Sequence, residues 1–331
     1  MTPGKPPRLP AFRGFAAALA ACGLTSPAVQ GQPSGAVSVY VRPRAADGVE
    51  PSSHQPAAAP VAPGEAMAQA QRIVSSSFSR IARASSVSVR IRQKARIGDR
   101  VLVGTGRYVQ AGRGEEQRFR FESTLTCDTE VFECAEVSDG LFCWSHRRNG
   151  GEPPVLQRID VARVRARMGE LGAAAEADPA TYLGGLPRAL QLVRHWFRFE
   201  TAVAGDLDGT PAWVVEGRLA WEHVLYLLPE LAEAVKARQA VDPAELPDGT
   251  PWGVRVWITR SDLLPRRIEW LAIPGSRPVV STTPEPIAVL ELHDFELDAP
   301  VDATDFFYQP ATEGLIDITD MHCKALWLLQ P

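Results

Sequence analysis

Residues 87–97 alternate. Val87, Val89, Ile91, Ala95 and Ile97 fall on one parity, and Ser88, Arg90, Arg92, Lys94 and Arg96 on the other. A period of two sends successive side chains to opposite faces of a strand, so this segment must lie half buried with a basic outer face. The pattern returns over 118–126, with Phe119, Phe121 and Leu125 inward and Arg118, Arg120 and Glu122 outward. Sheets with one apolar and one wet face are antiparallel as a rule, which excludes a parallel α/β core for this part of the chain.

The rest of the chain extends that sheet. Before it, Met67, Ala70, Val74, Phe78 and Ile81 recur at helical spacing, with Gln71, Arg72 and Arg80 on other faces. Further strands are expected over 101–110, 131–137, 141–146 and 155–159, and Gly104 and Gly106 in the first of these mark curvature or a close backbone approach. The apolar segments around Asp139-Gly140 form a turn within this meander. Helical spacing resumes after Asp160, a good N-cap, where Val161, Val164, Met168 and Leu171 oppose Arg163, Arg165 and Arg167. A second short helix is expected after Gly184-Gly185-Leu186-Pro187, using Leu190, Val193 and Phe197. Strands over 197–203 and 212–219 flank the Asp206–Gly209 turn, a helical segment over 221–240 restarts at Pro229, and strands over 253–260, 266–273 and 287–297 follow. The fold class is α+β: a strongly curved antiparallel sheet with helices on its concave face.

Charge is unevenly spread. The net charge of -4 argues against nucleic acid as a partner. Yet Arg72 to Arg120 holds twelve Lys or Arg against Asp99, Glu115 and Glu116, while 285–321 holds ten acids and no Lys or Arg. Two faces at different edges, able to steer a charged partner or an anionic headgroup, are one expectation; a merely solvated outer face is the other.

The first 31 residues read as an export signal, with Lys5, Arg8 and Arg13 ahead of a short Ala-rich run too short to span a bilayer. Leu19-Ala20-Ala21-Cys22-Gly23 matches a lipobox, which would acylate Cys22; cleavage near Val29-Gln30-Gly31 is the alternative. Residues 25–63, rich in Pro, Ala, Ser and Gly, form a tether. The domain proper then runs over 64–331, with the helical insertion at about 221–247. An exported chain can form disulfides, and Cys127 and Cys134 flank a hairpin turn that would set them across two strands; small buried thiols are the other reading.

Catalytic signatures are lacking. There is no nucleophile elbow, zinc-protease helix or phosphate-binding loop, no cofactor fingerprint, and the six histidines have no metal-ligand spacing. Glu291, His293 and Asp294 are the best acid/base cluster, with Asp294 expected to point away from the other two. No cofactor, no metal and no catalytic residue are expected.

Five segments resemble the LolA/LolB/LppX superfamily of periplasmic lipoprotein carriers: Gly104–Tyr108 its glycine-led second strand, Arg118–Glu122 the alternating strand after it, Val137–Trp144 an "SDG-x-x-x-W" turn, Leu264–Trp270 a "P-x-x-I" strand, and Asp305–Pro310 a closing "F-x-F-x-P". The departures are Ser145-His146, where an aromatic usually follows the tryptophan, and the long 221–240 insertion. The resemblance implies an incomplete β-barrel of about ten or eleven strands with a helical lid over an apolar cavity. Candidate lining residues are Val89, Ile91, Val103, Phe119, Phe121, Leu141, Trp213, Val256, Ile258 and Trp270, with Met168 and Leu171 from the lid. Alternation names this face without saying whether it is empty. The implied function is a periplasmic or membrane-anchored binder of lipid or acylated protein, held at the membrane where Cys22 is acylated. A sensor or scaffold that uses the same fold to contact an envelope protein partner is the alternative.

Overall fold

The computed structural model describes residues 63–97, 100–171, 180–220, 250–272, 286–310 and 313–326. The leader with Cys22, the tether up to residue 62 and the expected insertion at about 221–247 lie outside them.

Helix α1 (Pro63–Arg83) leads into β1 (Ser86–Ile97), β2 (Arg100–Ala111), β3 (Arg118–Cys127), β4 (Glu130–Ser138), β5 (Phe142–Asn149) and β6 (Val155–Asp160). Three helices follow, α2 (Val161–Glu170), α3 (Ala180–Leu183) and α4 (Gly185–Trp196), and then β7 (Phe197–Leu207), β8 (Thr210–Leu219), β9 (Gly253–Thr259), β10 (Pro265–Leu271) and β11 (Pro286–Leu297). A short β12 (Leu315–Asp317) and α5 (Thr319–Ala325) end the described chain.

All twelve strands form one sheet, in the order β12-β6-β5-β4-β3-β2-β1-β11-β10-β9-β8-β7. Every pairing is antiparallel except β12 on β6, which is parallel. The count exceeds the expected ten or eleven, chiefly because β12 has three residues and no alternation to reveal it.

The edges β7 and β12 do not pair, so the sheet stays open, but it cannot be flat. Helix α4 touches both β3 and β7, which are seven strands apart in that order. At about 4.8 Å per strand a flat sheet would separate them by roughly 34 Å, whereas the 12 residues of α4 reach about 18 Å. The sheet must curl around the helix. Helix α1 lies on β7, β8 and β9 and also touches α4.

Cross-strand register decides which residues face the helices. Val87, Val89, Ile91, Gln93 and Ala95 are buried, while Arg90, Arg92 and Lys94 are exposed, as the alternation requires. In β2 the expected parity is off by one. Leu102 stands opposite Ala95 and points inward, so Val103, opposite Lys94, points outward and is 49% exposed. The inward positions beside it are Gly104 and Gly106. A Cβ on Gly104 would come within 2.0 Å of the Thr124 carbonyl oxygen, so this row must stay bare.

Two further expectations fail on register. Cys127 pairs with Glu130 and Cys134 with Ser123, four positions apart along β3, or roughly 13 Å. A disulfide needs Cα atoms within about 7 Å, and both residues remain buried thiols. Nor do the basic and acidic stretches occupy separate edges: β11 pairs with β1. Arg90 meets Asp294 at 3.5 Å, Arg113 meets Asp298 at 4.0 Å, and Arg107 meets Asp305 at 3.4 Å. Arg120 Nη1 donates to the Asp305 carbonyl at 3.2 Å. The acidic stretch lies along the basic strands and pairs with Arg90, Arg107 and Arg113.

Candidate functional site

Ten of the twelve candidate lining residues gather on or against one core. Val89, Ile91, Phe119, Phe121, Val256, Ile258, Trp270 and Met168 belong to it, together with Ala70, Val74, Phe78 and Ile81 of α1 and Leu186, Leu190 and Val193 of α4. Leu171 and Trp213 pack half-buried against it, and the Arg260 guanidinium stands 4.9 Å from the Trp213 ring centre. Val103 and Leu141 do not join them. Leu141 sits in the turn before β5 and is 71% exposed. The turn itself is built as its residues suggest: Asp139 Oδ1 accepts from the Leu141 and Phe142 amides, both at 2.8 Å, and Gly140 takes φ +93°.

Alternation could not tell an empty inner face from a filled one. Val89, Ile91, Phe119, Val256 and Ile258 are each at most 1% exposed, so side chains from the helices fill the space against them. Helix α4 approaches through Gly184 and Gly185. Gly185 has φ +68°, and a Cβ there would lie 2.8 Å from the Tyr108 ring and 3.0 Å from Phe119.

Beside this contact lies a buried polar cluster absent from the sequence reading. Glu136 faces inward opposite Phe121 and Ser145. Its Oε2 accepts from the Gly185 amide at 3.1 Å, and Oε1 lies 3.6 Å from Arg147. Burial pushes the Glu136 carboxyl above its usual range, opposed by Arg147, the Gly185 amide and Arg188. Arg188, on α4, is buried and donates from Nη1 to the Tyr182 and Leu183 carbonyls, both at 3.2 Å. Burial lowers its pKa to about 10 against the pull of Glu136. His322 of α5 donates from Nε2 to the Tyr182 carbonyl at 2.8 Å, and burial, aided by Arg188, holds it down to about 3. It is therefore neutral near pH 7. Burial also raises the Cys143 thiol, which keeps it protonated. Arg188 Nε and Ser145 Oγ have no hydrogen-bond partner among the described residues. The one sequence hint was a polar residue on an inward parity, and Glu136 could be placed on that parity only once register was known.

Glu291 and His293 do share the outer face, 3.5 Å apart. Glu291 also accepts from Arg267 at 3.0 Å, and Arg267 bridges to Glu269 at 2.7 Å. Asp294 does not point away from them; it takes φ +52° and turns to Arg90 on the same side. This is an ion-pair ladder across strands, set on the convex face away from the core. Among the described residues no three His, Cys, Asp or Glu side chains gather as a metal site requires.

No family model and no curated protein matches the chain. Solved structures do resemble it. A DUF1329 family protein from Desulfovibrio piger is 10% identical over 73% of this chain and 98% of its own, with a TM-score of 0.31. A domain from Vibrio parahaemolyticus, described as an outer membrane lipoprotein-sorting protein, is 10% identical over 72% and 97%, with a TM-score of 0.30. LprF from Mycobacterium bovis is 12% identical over 71% and 96%, with a TM-score of 0.34. Likeness at this level assigns neither a family nor a ligand.

Proposed function

We propose that this is an exported, non-enzymatic envelope protein that holds lipid or acyl chains between the inner face of the curled sheet and its helices. The observation that carries the reading is the apolar inner face to which β1, β3, β9 and β10 contribute, which shares one core with α1 and α4 rather than with a second sheet. A helix that rests on a sheet through side chains can shift without breaking any strand hydrogen bond. Apolar side chains and acyl chains are interchangeable fillers of such a space, and each buried CH₂ contributes about 0.8 kcal/mol. The ligand-bearing state is one in which the Gly184-Gly185 end of α4 moves off Phe119. In the same reading the leader exports the chain, and acylation at Cys22 tethers it, whereas cleavage near Gly31 releases it.

Native mass spectrometry on the full-length protein, purified from membranes of an exporting host, tests this before and after denaturing release. The expected result is an adduct with the mass of one or two acyl chains. Consistent recovery of the bare mass would sink the lipid reading and leave the filled interior as a permanent core, with the sheet a scaffold for protein contacts.

A further inference from the structure

The acidic C-terminal stretch does not neutralise β1 along its whole length. Toward the β1 C-terminus, β11 places Val289 opposite Lys94 and Ala288 opposite Ala95, so among the described residues no carboxylate faces Lys94. A groove of about 330 Å³ opens there on the outer face, with Arg92, Lys94, Arg96 and Arg267 in its wall and, among the described residues, the one carboxylate of Glu291. Arg267 already serves Glu291 and Glu269. Arg92 and Lys94 have no hydrogen-bond or ion-pair partner among the described residues. On the other flank β2 sets Val101 opposite Arg96 and Val103 opposite Lys94. Both valines point outward, 38% and 49% exposed.

We infer that this outer surface docks on the headgroup layer of an anionic bilayer. Unpartnered cations attract phosphate-bearing headgroups, and large exposed aliphatic side chains in the same row gain by entering the acyl boundary. Basic and apolar groups together are what an interfacial surface requires, whereas a site for a soluble anion has no use for exposed valines. The site lies on the opposite face of the sheet from the apolar core, so it stands or falls independently of acyl binding inside.

The test is sedimentation of the full chain, carrying Cys22→Ser so that no acyl anchor contributes, with vesicles of phosphatidylglycerol and phosphatidylcholine in equal parts and with pure phosphatidylcholine. Binding is expected to the anionic vesicles only, and to weaken with salt. Arg92→Gln with Lys94→Gln should lower partitioning about 25-fold, each charge near the surface being worth about fivefold, and Val103→Ser should lower it further. Arg72→Gln with Arg83→Gln, which makes the same charge change on α1, should have far less effect; an equal loss would show diffuse attraction and overturn the assignment. Equal binding to neutral vesicles, or an unaffected Arg92/Lys94 variant, would also overturn it. Release by millimolar glycerol 3-phosphate would make the groove a site for a soluble phosphate ester and end the bilayer proposal. All five positions are exposed or partly exposed, so unchanged thermal melts are expected and separate binding from folding.

Discussion

The cluster around Glu136 is where single residues matter most. A carboxylate held by the Gly185 amide and Arg147, near buried Arg188, is costly to disrupt on one side only, because the remaining cations lose their counter-charge. Glu136→Ala should destabilise the protein by about 3–5 kcal/mol, read by urea unfolding; a loss under about 1 kcal/mol would show that the cluster is not coupled. His322 controls the acid limb. Its folded pKa is about 3 against an ordinary 6.5, so between these values the unfolded chain binds a proton that the folded chain refuses. Stability is then lost as pH falls through that window, by at most about 1.4 kcal/mol per pH unit, and His322→Gln should flatten that limb. Glu136 acts with the opposite sign: its raised carboxyl lets the folded state keep a proton longer, so its contribution declines as pH rises above 4.5. Legibility at this scale followed side-chain size. In β1 the apolar row is large and the charged row unambiguous. In β2 the inward row holds Gly104 and Gly106, which give no apolar signal, and the outward Val101 and Val103 look like core. Glu136 showed its inward parity only once register was known, and Arg188 and His322 carried no hint of their burial, since the sequence does not reveal which helix covers which strand.

Elements with strong local chemistry were legible, and those without it were not. Helix α2 begins where Asp160 predicts, its side chain accepting from the Arg163 amide at 3.0 Å. Helix α5 follows Ile318, whose apolar side chain makes no capping hydrogen bond; instead Asp317 Oδ1 accepts from the Thr319 amide at 3.0 Å. Nothing there announces a helix. Phe197, read both as the last apolar position of α4 and as the first residue of the next strand, opens β7 opposite Leu219, because it belongs equally to either period. The α4 contact is the element most open to test. Gly185→Ala must place a methyl against Tyr108 and Phe119 at a left-handed position, and overpacking of this type costs about 1–3 kcal/mol. Denaturant unfolding checks it, and an unchanged midpoint would mean that α4 already stands off the sheet. Ile81→Ala, fully buried on α1, should cost about 2–5 kcal/mol.

Across the whole molecule, β1 and β11 are the joint between two meanders, β1–β6 on one side and β7–β11 on the other. The rim elements depend on far less. β12 has three residues and one hydrogen-bonded neighbour, with Ile316 half exposed. Hydrogen exchange should therefore find β12 amides opening at a small fraction of the free energy that guards β1; equal protection would mean that the sheet opens only as a unit. The large, open, mostly antiparallel sheet with a few helices was legible from alternation and element order. The zipping of acid onto base was not, since charge counts along a chain ignore which strands become neighbours.

That joint also sets a clock. Ser85 and Asp298, bonded at one end of it, lie 213 residues apart. At about 5–20 residues per second, a ribosome takes roughly 10–40 s to deliver the second after the first. Through that interval one side of β1 has no partner and is a template for any stray strand. Arg90, Arg92 and Lys94 project from it, and charged side chains on a bare strand deter such pairing. The basic row of β1 would thus also deter stray pairing until β11 arrives.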